Sequence, residues 1–254
     1  AAMTSVVMPS GVELMGLGAE ARCMQCHQGR HSTVSVNASI EEAGVTDDEV
    51  SEDLGFSNIH YYAAAASQYG TAAMGGYEYE GKPYDAKFDH VAGYDTCVGC
   101  HNSHTLELKV EECAACHTGV SSVADLASIR MAGSAVDYDG DGDSGEGIGD
   151  EIAGLQEILY AAMQAYSADV AGSSLVYDAG AYPYFFDDAG ERYAAWTPRL
   201  AKAAYNYQTS LKDPGSYAHG GKYIIQLLYD SIEDLDPALV AGLNRIDHGH
   251  FAGS

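Results

Sequence analysis

Three copies of one five-residue motif, C-x-x-C-H, contain every cysteine of the chain. C-x-x-C-H is the attachment signature of c-type haem, because two thiols add to the vinyl groups of one porphyrin and the adjacent histidine binds its iron. The sequence therefore predicts three covalent haems, with the three motif histidines as proximal iron ligands. The residues predicted to bind haem are Cys23, Cys26, His27, Cys97, Cys100, His101, Cys113, Cys116 and His117.

Zinc and disulfide bonds are the two alternatives for six cysteines. Structural zinc takes four nitrogen or sulfur ligands, whereas each motif repeats the same three candidate ligands with no obvious fourth nearby. Disulfides suit an even cysteine count in a secreted chain, but they leave the three trailing histidines unexplained. Three unvaried copies of C-x-x-C-H favour haem over both.

Each predicted iron needs a second axial ligand, and seven further histidines are available. Bis-histidine ligation is therefore expected, and it lowers the reduction potential relative to Met/His ligation. His104 follows His101 by three residues and shares its face on a helical turn, so it must serve a different haem or none. The same argument excludes His31 as the second axial ligand of the iron that His27 binds.

The remaining histidines divide into expected ligands and expected non-ligands. His60 lies in an apolar segment and His90 shortly precedes the second motif, so both join His104 as predicted distal ligands. For each of the three, the alternative is a hydrogen-bonded histidine without metal. The histidines far along the chain are expected not to bind iron, although the last two are candidates to reach a neighbouring subunit if the chain polymerises. These are His219, His248 and His250.

An acidic segment from residue 137 to 148 resembles the opening of a calcium-binding loop. D-x-D-x-D-G supplies oxygen ligands at positions 1, 3 and 5 and a turn glycine at position 6, and both flanks are predicted helices. Position 12 is Ile148 instead of the usual glutamate, so the closing carboxylate must come from Glu146 or Glu151. A structural calcium is predicted, with a solvated acidic turn as the alternative. Its expected ligands are Asp137, Asp139, Asp141, Asp143 and Glu146.

The chain is strongly acidic, with a formal charge of -25 from 12 basic and 37 acidic residues. This balance excludes nucleic-acid binding through a basic patch. No apolar run approaches the roughly 18 residues that span a bilayer, so no transmembrane segment is expected. The opening residues Ala1-Ala2-Met3 suit a mature terminus after cleavage beside small residues. Because c-type haem is attached outside the cytoplasmic membrane, the expected location is extracellular or at the cell surface, with the periplasm second.

The pattern of the chain predicts a mainly α fold with much irregular structure. A haem-cored N-terminal region, residues 1–117, precedes a helical region, residues 118–254, that carries the acidic loop. Turn residues around Gly81-Lys82-Pro83 predict a small β-hairpin near residues 77–88. Helices are predicted over 57–74, 119–131, 148–171, 198–211 and 217–235.

Several segments resemble a family of secreted multihaem c-type cytochromes from anaerobic bacteria and archaea. They are CMQCHQGRHSTVSVN, LGFSNIHYYAAAASQYG, YDTCVGCHNSH and VEECAACHTGV in the first half, with TPRLAKAAYNYQ and YAHGGKYIIQLLYDS in the second. The resemblance implies electron transfer outside the cytoplasm, to redox partner proteins or extracellular electron acceptors. It also supports His60, His90 and His104 as ligands. Some such cytochromes polymerise into conductive filaments, so a homopolymer is a further expectation.

Two functions of different classes follow from these observations. The leading one is an electron carrier in which every iron holds two histidines and no site is open. The alternative is a multihaem oxidoreductase with one open haem site. No C-x-x-C-K variant occurs, and a strongly negative surface disfavours anionic substrates, so the carrier is favoured. A haem-based sensor would also need an exchangeable site and is less favoured still.

Overall fold

The computed structural model describes residues 3–60, 62–130 and 134–246. Helices dominate, and the strands form two separate antiparallel pairs, β1 with β2 and β3 with β4. The strands are β1 Ser5–Val7, β2 Glu13–Met15, β3 Val176–Tyr177 and β4 Phe185–Phe186. The α-helices are α1 Ala21–His27, α2 Thr33–Ala43, α3 Ala64–Tyr69, α4 Cys97–Cys100, α5 Val110–Cys113, α6 Ile148–Tyr166, α7 Pro198–Leu211 and α8 Ser216–Leu235.

Three long helices, α6, α7 and α8, pack on one another and form the larger hydrophobic core. Helix α7 begins where its sequence predicts, because Thr197 caps it by accepting from the amide of Leu200 and Pro198 occupies the first turn. Helix α6 continues as a π-helix to residue 171 and ends at Gly172, whose φ of 71° is left-handed. The helices predicted over 148–171, 198–211 and 217–235 are confirmed.

The first half of the chain has short elements around a smaller core. Helices α1 and α3 pack together, and α1 also contacts β1. Val6, Met24 and Ile59 are buried there, joined by Tyr205 from α7. Tyr205 donates to the carbonyl of Gly75 at 2.7 Å. The motif-bearing half is therefore tied to the long helices through a tyrosine that both share.

Two predicted helices are shorter than expected. The helix predicted over 57–74 forms only at α3 and a 3₁₀ turn, Gly70–Ala72. His60 has a φ of 80°, a left-handed conformation that a right-handed helix does not accommodate. The helix therefore cannot run through His60 and begins after it. The helix predicted over 119–131 is the 3₁₀ segment Ala124–Ser128 within the described residues.

The hairpin predicted near residues 77–88 is wrong in position, since these residues form a turn without strands. Several of its backbone amides donate to side chains instead of to a strand partner. The amide of Tyr77 donates to Asn206 at 2.7 Å and that of Glu78 to Thr33 at 2.9 Å. Across the turn, the amide of Asp85 donates to Gln226 at 2.8 Å. Polar side chains of α2, α7 and α8 have taken the bonds that a strand partner would have made.

The fold class is confirmed as mainly α with much irregular structure and only small strand pairs. In the part of the chain that the structure describes, no helix has the length and apolar character needed to cross a membrane. The division of the chain near residue 117 stays a prediction.

Candidate haem-binding sites

Short helical turns present the cysteines of each motif on one side. Cys23 and Cys26 both lie in α1, three residues apart, where their side chains share a face. Helix α4 spans Cys97–Cys100, and Thr96 caps it by accepting from the amide of Gly99 at 3.2 Å. The third motif begins at the end of α5 and continues as a turn to residue 117. One porphyrin edge can therefore meet both thiols of each motif.

All six cysteines are free thiols; Cys26 and Cys116 are exposed and the other four are half-buried. Among residues 3–60, 62–130 and 134–246, the groups of side chains that converge closely enough to hold a metal ion are all carboxylates. No Cys/His group of zinc-site geometry is therefore present in those ranges.

Two motif histidines are oriented by backbone carbonyls. Nδ1 of His27 lies 2.8 Å from the carbonyl oxygen of Tyr62, and Nδ1 of His101 lies 3.1 Å from that of Leu106. A ligating histidine usually donates its other ring N–H to such an acceptor, which fixes the tautomer and leaves Nε2 for the metal. Both imidazoles are therefore arranged to bind iron through Nε2.

His90 faces His117 across an open space. Their ring centroids are 6.1 Å apart and their planes differ by 30°. With metal–nitrogen bonds of about 2.0 Å and ring centres about 1.1 Å beyond each nitrogen, two imidazoles on one iron have centres about 6.3 Å apart. Burial and the nearby His117 lower the pKa of His90, and a neutral imidazole is the form that binds metal.

A cleft of about 610 Å³ adjoins this pair and is large enough to enclose a cofactor. His90 and His117 line it together with the apolar side chains of Phe88 and Val91. Its lining also includes the basic residues Lys87, Arg130 and Lys222, which suit the propionate groups of haem. The acidic residues Asp85 and Asp89 line it as well.

His219 faces His101 in the same way, although its sequence position gave no reason to expect it. The two ring centroids are 6.4 Å apart and the planes differ by 33°. Nδ1 of His219 lies 2.9 Å from both carboxylate oxygens of Asp213, which is buried. Burial opposes protonation, but the charge and hydrogen bond of Asp213 outweigh it and raise the pKa of His219. The carboxylate engages Nδ1 of His219, which leaves Nε2 as the ring nitrogen for a metal.

The other histidines predicted from the sequence lie in less decisive places. His104 is exposed on the turn after the second motif, and its ring makes no hydrogen bond or ring contact with residues in the described ranges. His60 lies on a segment that packs against the first motif, since Tyr62 accepts from His27. His31 is half-buried with Nδ1 3.3 Å from the hydroxyl of Ser35. His248 and His250 lie outside the described residues.

The three motifs lie close together, with the second between the others. Burial, then the charges of Glu20 and Cys23, raise the pKa of the Cys97 thiol to about 12. Burial and the charge of Cys113 raise the pKa of Cys100. The amide of Cys97 also donates to Glu20, three residues ahead of Cys23, at 3.1 Å, so the second motif lies beside the first. Lys109 adds a direct link, because its Nζ donates to the carbonyls of Val98 and Gly99 at 3.1 Å.

The acidic loop brings most of its predicted ligands together. Carboxylate oxygens of Asp137, Asp139 and Glu151 lie within 4.8 Å of one another, and so do those of Asp139, Asp141 and Glu146. Asp143 is outside both groups in the described structure; its carboxylate accepts from the amide of Gly145 at 2.8 Å.

Two glutamates of this loop have different surroundings. Glu151 is buried. Arg130 donates a hydrogen bond to one of its carboxylate oxygens at 2.6 Å, and the amide of Tyr138 donates to the other. Glu146 has a buried carboxylate oxygen without a hydrogen-bond partner in the described structure. Burial, then the carboxylates of Asp139 and Glu151, raise the pKa of Glu146 to about 7. A cation would relieve this repulsion.

The chain is similar to two proteins of Geobacter sulfurreducens. One is C-type polyheme cytochrome OmcB, with 27% identity over 260 residues, covering 83% of this chain and 30% of OmcB. The other is C-type polyheme cytochrome OmcC, with 28% identity over 248 residues, covering 83% of this chain and 29% of OmcC. The similarity supports a multihaem c-type cytochrome family. The chain spans under a third of the length of these curated relatives, while no family model and no solved structure matches it.

One histidine of the candidate sites, His219, was not expected from the sequence to be an iron ligand. His219 sits in α8, more than a hundred residues after the motif that it faces. Asp213, six residues earlier, is the signal that could have singled it out, because carboxylate–histidine pairs are typical of metal ligands. That signal is weak in a chain with 37 acidic residues.

Proposed function

We propose that this chain binds three c-type haems and transfers electrons between redox partners. Two histidine pairs carry the proposal. The ring centroids are 6.1 Å apart in one pair and 6.4 Å apart in the other, and one histidine of each pair belongs to a C-x-x-C-H motif. Both separations suit two imidazoles on one iron. Each bound haem would supply a one-electron Fe(III)/Fe(II) couple.

The chain's residues would hold the haems as follows. His117 and His90 would ligate the haem on Cys113 and Cys116. His101 and His219 would ligate the haem on Cys97 and Cys100, with Asp213 fixing the ring of His219. For the haem on Cys23 and Cys26, His27 would be proximal and the prediction of His60 or His104 as distal ligand stands as made.

The order of the motifs supports a continuous path. The second motif neighbours the first through Cys23 and the third through Cys113 and Lys109. Covalent attachment at these positions would keep the three haems adjacent without relying on a mobile loop. Electrons could then enter at one end of the row and leave at the other.

The proposal favours a carrier over an enzyme, because it leaves no open iron on the second and third haems. The test is the visible spectrum of the dithionite-reduced protein before and after carbon monoxide. Unchanged low-spin bands are expected, since carbon monoxide cannot displace two strong protein ligands readily. A shift that involves the second or third haem would contradict the proposal and favour an oxidoreductase with an open site.

We also propose an extracellular or cell-surface location, with polymerisation into a conductive filament as the most specific form of the function. The exposed ring of His104 supports the polymer, since it is available to a haem of a neighbouring copy. Electron microscopy of the purified protein tests this directly. Filaments that disappear in His104→Ala but persist in His31→Ala would support it, and discrete monomers of the wild-type chain would contradict it.

A structural calcium in the acidic loop completes the proposal. Asp137, Asp139, Asp141 and Glu146 would supply oxygen ligands, and Glu151 would remain paired with Arg130. Calorimetric titration with Ca²⁺ should give one binding event that Asp139→Asn abolishes. Absence of any binding by the wild-type protein at millimolar Ca²⁺ would contradict this part.

A further inference from the structure

Glu20 is a buried acidic residue beside two haem attachment motifs. Only 3% of its surface is exposed. It ends a 3₁₀ turn, Gly18–Glu20, immediately before α1, three residues ahead of Cys23. Buried glutamates are uncommon unless they are paired or serve a purpose, so its position between the first and second motifs needs a reason.

The contacts of Glu20 are two hydrogen bonds from neutral groups. Oε1 accepts from the hydroxyl of Tyr69 at 3.0 Å, and Oε2 accepts from the backbone amide of Cys97 at 3.1 Å. No ion pair to Glu20 is present in the described part of the chain, and Lys87, a nearby lysine, pairs with Asp89 at 2.9 Å instead. The carboxylate charge is therefore held in place by dipoles and is not cancelled by a cation.

The bond to Cys97 places this charge next to a cysteine that would be linked to the second haem. A ferric haem carries one more positive charge than a ferrous one, so a nearby negative charge favours the ferric state. The effect is large at a buried site because solvent screening is weak there.

We propose that Glu20 is a positioning and tuning residue that joins the first two motifs and lowers the reduction potential of the haem on Cys97 and Cys100. This inference rests on the proposed haem content.

Redox titration of Glu20→Gln holoprotein at pH 7 tests the proposal. Glutamine keeps the shape and removes the charge: its carbonyl oxygen can accept from the amide of Cys97 while its NH2 group donates to the hydroxyl of Tyr69. The reduced-to-oxidised ratio of one haem at fixed potential should rise about tenfold, which is a positive shift of about 59 mV for a one-electron couple. Glu20→Asp retains the charge and should stay near the wild-type potential. Glu107→Gln, an exposed carboxylate after the second motif, is the matched control and should change nothing.

Several results would overturn the proposal. An unchanged potential in Glu20→Gln would do so, and so would equal shifts in Glu20→Gln and Glu20→Asp, because the effect would then be structural. Should Glu20→Gln fail to give holoprotein, Tyr69→Phe decides the question. Loss of the Tyr69 hydroxyl removes one hydrogen bond to the Glu20 carboxylate, so its negative charge acts more strongly on the haem. A lower potential supports the proposal, whereas a higher or unchanged one refutes it. Haem counting by the pyridine haemochrome separates the two claims: fewer than three haems in the wild type refutes the haem content, not the role of Glu20.

Discussion

The long helices and the motif-bearing segments of this molecule are stabilised in different ways. Side chains inside α7 and α8, such as Leu200 and Leu228, are fully buried, and Asn206 bonds to Tyr77 and Ser231. Around the motifs, Leu106 is 69% exposed and Tyr62 59% exposed. The core of the helical part is formed mostly by its own side chains, with Leu54 and Tyr84 added from the first half of the chain. The motif region has short elements and exposed apolar groups, which is what a segment built around covalent cofactors would have.

Blocking haem attachment should give the largest effect, and it should act on one region only. Replacement of all six cysteines by alanine would remove the apolar cofactors and their covalent links from the motif region. Amide hydrogen exchange should become fast for α1, α4 and α5 and stay slow for α6 and α8. Equal loss of protection in both regions would contradict this expectation, because it would show that the two regions are stabilised together.

Removal of one proposed distal histidine should open a single haem. Because the ring centroid of His219 lies 6.4 Å from that of His101, His219→Ala should let carbon monoxide bind about a third of the haem in the reduced protein. His90→Ala should do the same at the third motif. His31→Ala is the matched control, with a histidine that hydrogen-bonds to Ser35, and its spectrum should not respond. Carbon monoxide binding that is unchanged in His219→Ala would refute the pairing with His101.

A core substitution should weaken the helical part without touching the haems. Leu228 is fully buried in α8, and replacing such a leucine by alanine costs about 2–5 kcal/mol in the free energy of unfolding. Chemical denaturation followed by tryptophan fluorescence measures this, because Trp196 lies in the same core. The reduced visible spectrum should be identical to that of the wild type. Altered haem bands in this variant would contradict the expectation and show that the substitution disturbs α8 as far as His219.

The smallest effect concerns pH and the acidic loop. The pKa of Glu146 is raised to about 7, above its ordinary value near 4.3, so the folded state binds this proton more tightly than the unfolded state. In calcium-free buffer the contribution of Glu146 to stability is present at low pH and is lost as pH rises through 7. Saturating Ca²⁺ should remove the trend, and Glu146→Gln should remove it without calcium. A midpoint of thermal unfolding that rises with pH across this window in calcium-free wild type would contradict the assignment.

The sequence predicted the helical half well because its signals are local. Thr197-Pro198 marks a helix start, and a stripe of apolar residues such as Ile224 and Leu228 sets the buried face of α8. The hairpin near residues 77–88 failed because amides there bond to Asn206 and Gln226, which are far away in sequence. No local pattern carries that information.

The candidate sites divide in the same manner. The motif cysteines and histidines were visible at once, because attachment chemistry demands adjacent residues. The proposed distal partners reach their motifs only through the tertiary fold. His90 shortly precedes the second motif, yet its ring lies near His117 of the third, and His219 was expected not to bind iron. Glu20 was missed for the same reason, since its contact with Cys97 crosses 77 residues.

The central claim is that two irons lie between these histidine pairs. Diffraction from holoprotein crystals at the iron absorption edge would locate each iron by its anomalous signal. One iron is expected between Nε2 of His101 and Nε2 of His219, and another between His117 and His90. An iron at the second motif with any ligand other than His219 opposite His101 would contradict it.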